Sequence, residues 1–296
     1  MKSNLSTLKS FSNLPHHNEL NILNYLDVGS ETLLTLCEPI TLCHWHDAIE
    51  FIQIVEGGLY CHINGHSILL NQHDGLLINA NHLHYATPLS TESCTYRYIL
   101  LDSALLLDNR FLCNHDIIAK WNTSSPAYLS FDGIKDNNLL NTISRIIYLK
   151  SQNNLDYASK ILYELRTFLI QLYQKKETMH PVSLKEIDTN LKIMQNMISF
   201  IYTHYSERLS LSRIALSGNV SQSKCCHLFR TFLKQTPIEF LNKYRLKMSI
   251  HMLLHTQTNI TNIALDCGFN HLSYFSELFY RYYQCTPRDY RKTNGV

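Results

Sequence analysis

Three histidines and one glutamate in the first third of the chain have the types and spacing of a single binding site. His44 and His46 are two residues apart, Glu50 follows, and His84 lies on a later segment. Side chains two residues apart leave the same face of a β-strand, and Glu50 shares that parity where no bulge intervenes. Such a set could hold Zn²⁺, Fe²⁺ or Mn²⁺. Without metal the four groups would line a polar pocket that hydrogen-bonds an effector, and this is the alternative that we predict, with no cofactor.

A second set of polar and basic side chains lies on two predicted helices near the C-terminus. In each pattern the apolar residues recur at i, i+3, i+4 and i+7, which predicts one buried helix face. The opposite faces hold Ser223, Cys226, His227 and Arg230 in the first copy and Ser273, Ser276, Glu277 and Tyr280 in the second. Short polar and basic side chains on a helix can meet base edges in the major groove of DNA.

The elements that must position these faces are short helices and turns. Ile214-Ala215-Leu216 precede a Ser-Gly-Asn turn, and Ile263-Ala264-Leu265 precede an Asp-Cys-Gly turn, each followed by one of the two amphipathic helices. A helix, a glycine-containing turn and a second helix form the helix-turn-helix pattern. The chain therefore contains this pattern twice.

The connection between the two copies begins with Thr236-Pro237-Ile238-Glu239. This is a capping box with proline at the first helical position. The helix that it starts could run to about His255, a length of roughly 28 Å. Because successive major-groove faces lie about 34 Å apart, such a helix could hold two recognition helices on adjacent turns of one duplex.

Charge is distributed unevenly along the chain. From residue 190 onward there are 13 Lys/Arg and 5 Asp/Glu, a balance of +8, whereas residues 1–189 have 13 and 19, a balance of −6. The basic segment predicts a polyanionic partner, whose phosphates would exchange counterions for lysine and arginine. The cations that we assign to this role are Lys224, Arg230, Lys234, Lys243, Arg245, Lys247, Arg281, Arg288 and Arg291.

Composition limits the class of protein. The first 24 residues are polar and do not resemble a signal peptide. The sequence contains no run of 18 or more apolar residues, which is the length that a membrane-spanning helix needs. Nine scattered cysteines without a C-x-x-C pair disfavour a disulfide framework or a zinc finger. These features predict a cytoplasmic protein.

The first half of the chain changes periodicity once. Between residues 25 and 101, short apolar runs broken by turn residues predict a β-sandwich or barrel. Asn64-Gly65 is suited to a type I′ hairpin turn. From 137 to 176 the apolar period is helical and predicts two helices. A Lys-Lys-Glu cluster followed by His180-Pro181 is typical of a linker.

The last hundred residues resemble the DNA-binding domain of the AraC/XylS family of bacterial transcription regulators. The resemblance rests on Leu211 to Leu216, Val220 to Ser223, Pro237 to Leu246, Ile263 to Phe269, Ser273 to Ser276 and Thr286 to Arg291. The family fold has seven helices, with two helix-turn-helix units joined by a long helix. Cys225 departs from the usual leucine and Glu277 from a position that is often basic, so we expect the first recognition helix to bind DNA more tightly.

The first half resembles a cupin barrel. His44-Trp-His-Asp-Ala-Ile-Glu50, with Gly57 seven residues later, matches the first cupin motif, and Asp74-Gly75 to His84 resembles the second loosely, with Ala80 where proline is frequent. An N-terminal cupin-like sensing domain is the common arrangement in this family. The resemblance therefore covers nearly the whole chain.

The resemblance implies a two-domain α+β protein. We predict a loosely ordered lead-in at 1–24, a cupin-like β-barrel with two helices at 25–176, a linker at 177–189, and an all-α domain with two helix-turn-helix units joined by a long helix at 190–296. The barrel would bind a small effector, and the helices in 137–176 would form a homodimer interface or, alternatively, pack only on the barrel.

The implied function is sequence-specific regulation of transcription, with activation through RNA polymerase, and not catalysis. The DNA-binding residues that we predict are Ser223, Lys224, Cys226, His227, Arg230, Lys234, Ser273, Ser276, Glu277 and Arg281, and the effector-binding residues are His44, His46, Glu50 and His84. The alternative is a metal-dependent cupin enzyme of oxygenase or isomerase type with a helical accessory domain. That alternative does not account for the basic second half or the duplicated pattern.

Overall fold

The computed structural model describes residues 26–33, 42–89, 93–102, 126–152, 157–177 and 185–294. The predicted lead-in and residues 178–184 of the predicted linker lie outside these ranges. The described residues divide into two compact units, with 26–33, 44–63 and those between 67 and 177 in the first and 42–43, 64–66 and 185–294 in the second. None of the helices in the described part of the chain is long and apolar enough to cross a membrane.

Two antiparallel sheets form the first unit. The strands are β1 Leu26–Leu33, β2 Ala48–Glu56, β3 Leu59–Ile63, β4 His66–Leu70, β5 Gly75–Ile78, β6 His84–Pro88, β7 Cys94–Asp102 and β8 Tyr128–Phe131. One sheet has the order β1-β7-β2-β5-β8 and the other the order β4-β3-β6. The strand-rich character predicted from short apolar runs is confirmed.

Strand β2 is buried on both faces because it contributes to two separate cores. Ile49 and Phe51 belong to an apolar cluster shared with the helices that follow the sheets. Ile52 and Ile54 belong to a second cluster, which contains residues of β3 and β4 from the other sheet. The side chains of a strand alternate between faces, so Glu50 lies on the same face as Ile52 and Ile54, toward the second sheet.

The hairpin between β3 and β4 has the turn predicted from Asn64-Gly65. The two residues have φ angles of 49° and 88°. Positive φ at both central positions defines a type I′ turn, which asparagine and glycine tolerate. The prediction is confirmed, and the turn pins the register of the three-stranded sheet.

Two helices complete the first unit, α1 at Asn137–Gln152 and α2 at Tyr157–Glu177. Their apolar stripes pack on the five-stranded sheet: Ile143 and Ile146 of α1 and Ile161, Leu165 and Phe168 of α2 are buried in the first cluster. Both helices occupy the segments predicted from the helical period. Each also leaves large side chains in solvent, namely Tyr148, Tyr163 and Ile170.

The described part of the second unit contains seven helices. They are α3 Lys185–His204, α4 Leu211–Ser217, α5 Gln222–Leu233, α6 Pro237–His255, α7 Ile260–Asp266, α8 Leu272–Tyr283 and α9 Pro287–Asn294. The pairs α4–α5 and α7–α8 are the two helix-turn-helix units, and α6 joins them. The predicted fold class is therefore confirmed. Helix α3 begins at Lys185, whereas the helical apolar period in the sequence begins only at Leu191.

The connecting helix α6 begins and ends where its sequence predicts. The Thr236 backbone N–H donates to Oε2 of Glu239 at 2.7 Å, and the Glu239 N–H donates to Oγ1 of Thr236 at 3.2 Å. This reciprocal pair is the predicted capping box, with Pro237 in the first turn. Helix α6 has buried residues on several sides, because it packs against helices of both helix-turn-helix units.

The two helix-turn-helix turns use the same backbone conformation with different residues. Asn219 has φ of 53° and Gly268 has φ of 84°, both in the left-handed region. In the first turn this position belongs to Asn219 and not to the neighbouring Gly218. A Cβ on Gly268 would lie 2.5 Å from the Tyr205 carbonyl oxygen, so the second turn requires glycine for space as well as for φ.

We expect Gly268→Asn to lower the free energy of unfolding of the helical unit by about 2 kcal/mol or more, because asparagine tolerates the φ angle but its Cβ collides with backbone. The matched control Asn219→Gly should change it by less than about 1 kcal/mol. Thermal unfolding followed by circular dichroism at helical wavelengths measures both. Equal losses in the two variants would contradict this account of the turns.

Candidate functional site

Helices α5 and α8 are equivalent in length, burial and termination. The buried face of α5 consists of Cys225, Leu228, Phe229, Phe232 and Leu233, and that of α8 consists of Phe275, Leu278, Phe279 and Tyr283. The helices end at Lys234 and Gln284, both with φ of 54°. Residues fifty positions apart in sequence thus occupy equivalent places, and the exposed faces correspond residue by residue.

The structure places the predicted DNA-binding side chains on these exposed faces. The first helix-turn-helix exposes Ser223, Lys224, His227, Arg230 and Lys234, and the second exposes Ser273, Glu277 and Arg281. Cys226 and Ser276 are half-buried at equivalent positions. Each set is brought together on one side of its own helix. Tyr274 and Tyr280 are also exposed on α8, where α5 has Lys224 and Arg230.

The two faces differ in charge. The segment from Gln222 to Lys234 contains no acidic residue. In α8, Nη2 of Arg281 donates to Oε1 of Glu277 at 3.0 Å. This i, i+4 pair offsets the negative charge that would otherwise face a phosphate backbone. The α5 face is therefore cationic, and the α8 face is close to neutral with two tyrosine rings.

Two of the predicted phosphate-binding cations donate to backbone carbonyls. Arg291 donates from Nε to the Leu253 carbonyl at 3.3 Å and from Nη2 to the Thr258 carbonyl at 2.6 Å, and Arg245 is the more buried of the two. Arg245 on α6 is only 8% exposed, and it donates from Nε to the Tyr205 carbonyl and from Nη2 to the Glu207 carbonyl, each at 2.8 Å. Its assignment to DNA phosphates is therefore wrong. Arg245 lies four residues from Leu241 and from Ser249, which are both buried, but the polar Ser249 gives no sequence signal that this face of α6 is internal.

The other candidate site is in the first unit, where His44, His46, Glu50 and His84 converge. Their potential ligand atoms all lie within 4.8 Å of one another. Strand β2 begins only at Ala48, so strand parity is not what aligns the two leading histidines. Instead, His44 pairs with His84 through two backbone hydrogen bonds of 3.0 and 2.9 Å. This bridge joins the segment that leads into β2 to β6 of the other sheet.

Backbone carbonyls orient two of the imidazole rings. Nδ1 of His46 lies 2.9 Å from the Ala48 carbonyl oxygen, and Nδ1 of His84 lies 2.8 Å from the His82 carbonyl oxygen. Because a carbonyl oxygen can only accept, the proton is on Nδ1 in both rings. The Nε2 atoms then face Oε2 of Glu50, at 3.3 Å from His46 and 2.9 Å from His84.

The contacts of Glu50 favour its charged form. Burial alone would raise the pKa of the Glu50 carboxyl, but hydrogen bonding and charge interaction with His46 and His84 outweigh burial and hold that pKa below its usual range. Burial also opposes the charged form of His46, yet the same contact with Glu50 raises the pKa of its imidazole. The site therefore holds a carboxylate that is 12% exposed, surrounded by imidazole rings.

We expect Arg245→Gln to lower the free energy of unfolding by about 2 kcal/mol, since hydrogen bonds from a charged donor are lost. Arg230→Gln, a change of the same type on the exposed face of α5, should alter it by less than about 0.5 kcal/mol. Circular-dichroism melts of both variants, without DNA, provide the comparison. Unchanged stability of the Arg245 variant would show that the two carbonyl contacts do not hold the unit together.

Both halves of the chain match known domain families. The AraC-like ligand binding domain matches residues 38–113. A helix-turn-helix domain matches residues 214–293. The first match includes the histidine–glutamate cluster, and the second includes both recognition helices.

Several curated proteins are similar to this chain. It is 31% identical over 259 residues to the uncharacterized HTH-type transcriptional regulator YdeC of Bacillus subtilis (strain 168), a match that covers 85% of this chain and 86% of YdeC. It is 26% identical over 168 residues to the lactose operon transcription activator of Staphylococcus xylosus, covering 56% and 58% of the two chains. Over 111 residues it is 30% identical to the transcriptional activator RhaS of Klebsiella pneumoniae (strain 342), covering 37% and 40%.

Among solved structures, ToxT of Vibrio cholerae O395 aligns with 92% of this chain and 99% of its own, at 15% identity and a TM-score of 0.45. That similarity is too low to assign a ligand. The match to YdeC extends over most of both chains and includes the sensing and DNA-binding halves in the same order. The chain belongs to the AraC/XylS family of bacterial transcription regulators.

Proposed function

We propose that this regulator reads DNA with α5 in one segment of the major groove and with α8 in the next. The supporting observation is the equivalence of the two helices, which present corresponding positions to solvent from the two ends of one connecting helix. The contacts that we assign to DNA are made by Ser223, Lys224, Cys226, His227, Arg230 and Lys234 and by Ser273, Ser276, Glu277 and Arg281.

The chemistry of each side chain suggests its contact. Arg230 is exposed in the middle of a cationic face and can bind guanine through O6 and N7. Glu277 can accept a hydrogen bond from cytosine N4, and its pairing with Arg281 reduces its repulsion of phosphate. Lys224 and Lys234 lie at the two ends of α5 and suit phosphate contacts, which position the protein without reading sequence.

The first unit is proposed to sense a small effector at His44, His46, Glu50 and His84. The cluster combines a buried carboxylate with oriented imidazoles, and the His44–His84 bridge ties the two sheets together at this point. A ligand that binds one arrangement of the two sheets more tightly than another would shift the population toward that arrangement, and with it the population of DNA-binding states. Since the curated relatives are transcription regulators, we assign the cluster to sensing and not to catalysis.

The output is proposed to be activation of transcription through contact with RNA polymerase. Two of the relatives, the lactose operon protein and RhaS, carry the name of activator. Both align with this chain over a shorter length than YdeC does.

The helices of the first unit are proposed to form a homodimer. Tyr148, Tyr163 and Ile170 are 62%, 69% and 51% exposed, although other faces of α1 and α2 are buried in the apolar cluster. Tyr163 and Ile170 are seven residues apart on α2 and thus share one face. Large apolar side chains in solvent on a face of this kind suit the surface of a second copy.

Arg230→Ala should weaken binding to a selected operator by about 1–3 kcal/mol and relax the preference at one base position. Lys224→Ala is the matched control on the same helix, and it should weaken binding to all sequences alike while reducing the salt slope by about 1. Fluorescence anisotropy with sites selected from a random duplex pool measures both. Loss of the same factor for every sequence in the Arg230 variant would contradict its assignment to base reading.

Replacing both Tyr163 and Ile170 by glutamate should convert a dimer to a monomer, because charged side chains on an apolar interface lose their hydration without gaining partners. Leu69→Glu is the control, since Leu69 is 44% exposed but lies on β4. Sedimentation velocity of the full chain decides the question. A wild-type monomer, or a double variant that remains dimeric, would contradict the proposed interface.

A further inference from the structure

Helix α8 presents a nearly neutral surface where α5 presents a cationic one. Its sequence from Leu272 to Tyr283 contains one acidic and one basic residue, Glu277 and Arg281, and their side chains pair at 3.0 Å. Attraction to phosphates, which supplies much of the affinity of DNA-binding surfaces, therefore contributes little at this helix. If α8 reads DNA as proposed, contacts of another kind hold it in the groove.

Tyr280 has the position on α8 that Arg230 has on α5. Its side chain is 54% exposed, and it shares one helix face with Ser273, Ser276 and Glu277. A tyrosine here cannot make the paired hydrogen bonds that arginine makes with O6 and N7 of guanine. Its apolar ring suits the C5 methyl group of thymine, which the major groove exposes.

Another exposed tyrosine of α8, Tyr274, is held by a buried amide. Asn242 of the connecting helix α6 is only 8% exposed, and its Nδ2 donates to the hydroxyl oxygen of Tyr274 at 3.0 Å. Tyr274 is 46% exposed and flanks the face that carries Tyr280. The ring is thus oriented before DNA binds, which reduces the entropy lost on binding.

The direction of this hydrogen bond determines what Tyr274 can offer to a ligand. Because its oxygen accepts from Asn242, its hydroxyl hydrogen points elsewhere and can be donated. The equivalent residue on α5 is Lys224, which suits a phosphate contact. A tyrosine hydroxyl can also donate to a phosphate oxygen, and it does so without adding a positive charge.

We propose that α8 contacts DNA chiefly through two tyrosines, with Tyr280 on the methyl group of a thymine and Tyr274 on a backbone phosphate. Tyr280 then determines specificity in the second groove segment, and Asn242 is the positioning residue that orients Tyr274. Both contacts rest on the proposed function, which places α8 in the major groove. They add a base to it, because the segment that α8 reads contains a thymine whose methyl group faces Tyr280.

The base contact can be tested with the full chain and a duplex site selected from a random pool. Each thymine of the site is replaced in turn by uracil, which lacks only the C5 methyl group. At least one replacement should weaken wild-type binding by about fourfold, the loss expected for exposing one apolar carbon group. That replacement should have no effect on Tyr280→Ala, whereas Arg230→Ala, altered on the other helix, should retain the penalty.

The uracil series has two outcomes that would overturn the proposal. One is a wild-type protein that is insensitive to every replacement. The other is a Tyr280→Ala variant that retains every penalty of the wild type. Because the series changes the DNA and not the protein, the wild-type result stays informative should a variant fail to fold.

The phosphate contact predicts a loss of affinity that is the same for every sequence. Tyr274→Phe removes only the hydroxyl group, and it should weaken binding by about threefold to tenfold. Because no cation is lost, the dependence of affinity on salt should stay as in the wild type, unlike the change expected for Lys224→Ala. Unchanged affinity, or a loss confined to some sequences, would overturn the assignment of Tyr274.

A modified phosphate separates this contact from a structural effect of losing the Asn242 hydrogen bond. Each phosphate of the site is replaced in turn by an uncharged methylphosphonate. One replacement should weaken the wild type more than Tyr274→Phe, because the variant no longer donates to that phosphate. Equal losses in the two proteins at every phosphate would show that Tyr274 acts only on the structure of the unit.

Failure of the tyrosine contacts and failure of the proposed function give different results. If Arg230→Ala weakens binding while Tyr280→Ala and Tyr274→Phe do not, α5 binds DNA and only the role of the tyrosines is wrong. If none of the three variants changes binding, the assignment of both helices to DNA is itself wrong. Circular dichroism confirms that each variant is folded.

Discussion

The buried guanidinium of Arg245 connects the two helix-turn-helix units through hydrogen bonds to the backbone. From the connecting helix α6 it donates to the carbonyls of Tyr205 and Glu207, between the end of α3 and the start of the first helix-turn-helix. A Cβ on Gly268, in the turn of the second helix-turn-helix, would lie 2.9 Å from its Nη2. The Arg245 side chain thus contacts both the segment that precedes the first helix-turn-helix and the turn of the second. The proposed reading of one duplex by both helices requires a defined spacing between them, and the contacts of Arg245 are placed to contribute to it.

Much of this fold follows from local patterns in the sequence. The apolar stripes of α5 and α8, the capping box at Thr236 and the Asn64-Gly65 turn each depend on residues close in sequence, so periodicity and turn chemistry predict them. The burial of Arg245 depends on carbonyls about forty residues away. The residues near Arg245 in sequence do not reveal this burial, and only the fold shows which acceptors the guanidinium meets.

The histidine–glutamate cluster illustrates the same limit. Its members were identified from residue type and spacing, and the structure brings all four together. The reason given from sequence, strand parity, does not apply to His44 and His46, because β2 starts after them. Their position comes from the backbone bridge between His44 and His84 and from the carbonyls of Ala48 and His82. Such contacts between segments carry no local signature. They also link the two sheets at the cluster.

The fifty-residue correspondence between α5 and α8 has a consequence for the geometry of the operator. Equivalent exposed positions differ, with His227 matched by Glu277 and Arg230 by Tyr280, whereas the buried positions are apolar in both helices. If α5 and α8 both read DNA as proposed, one chain presents two different recognition surfaces, and the sequence that it recognises is non-palindromic. Such a site has a direction, so each chain would bind its own site in one orientation.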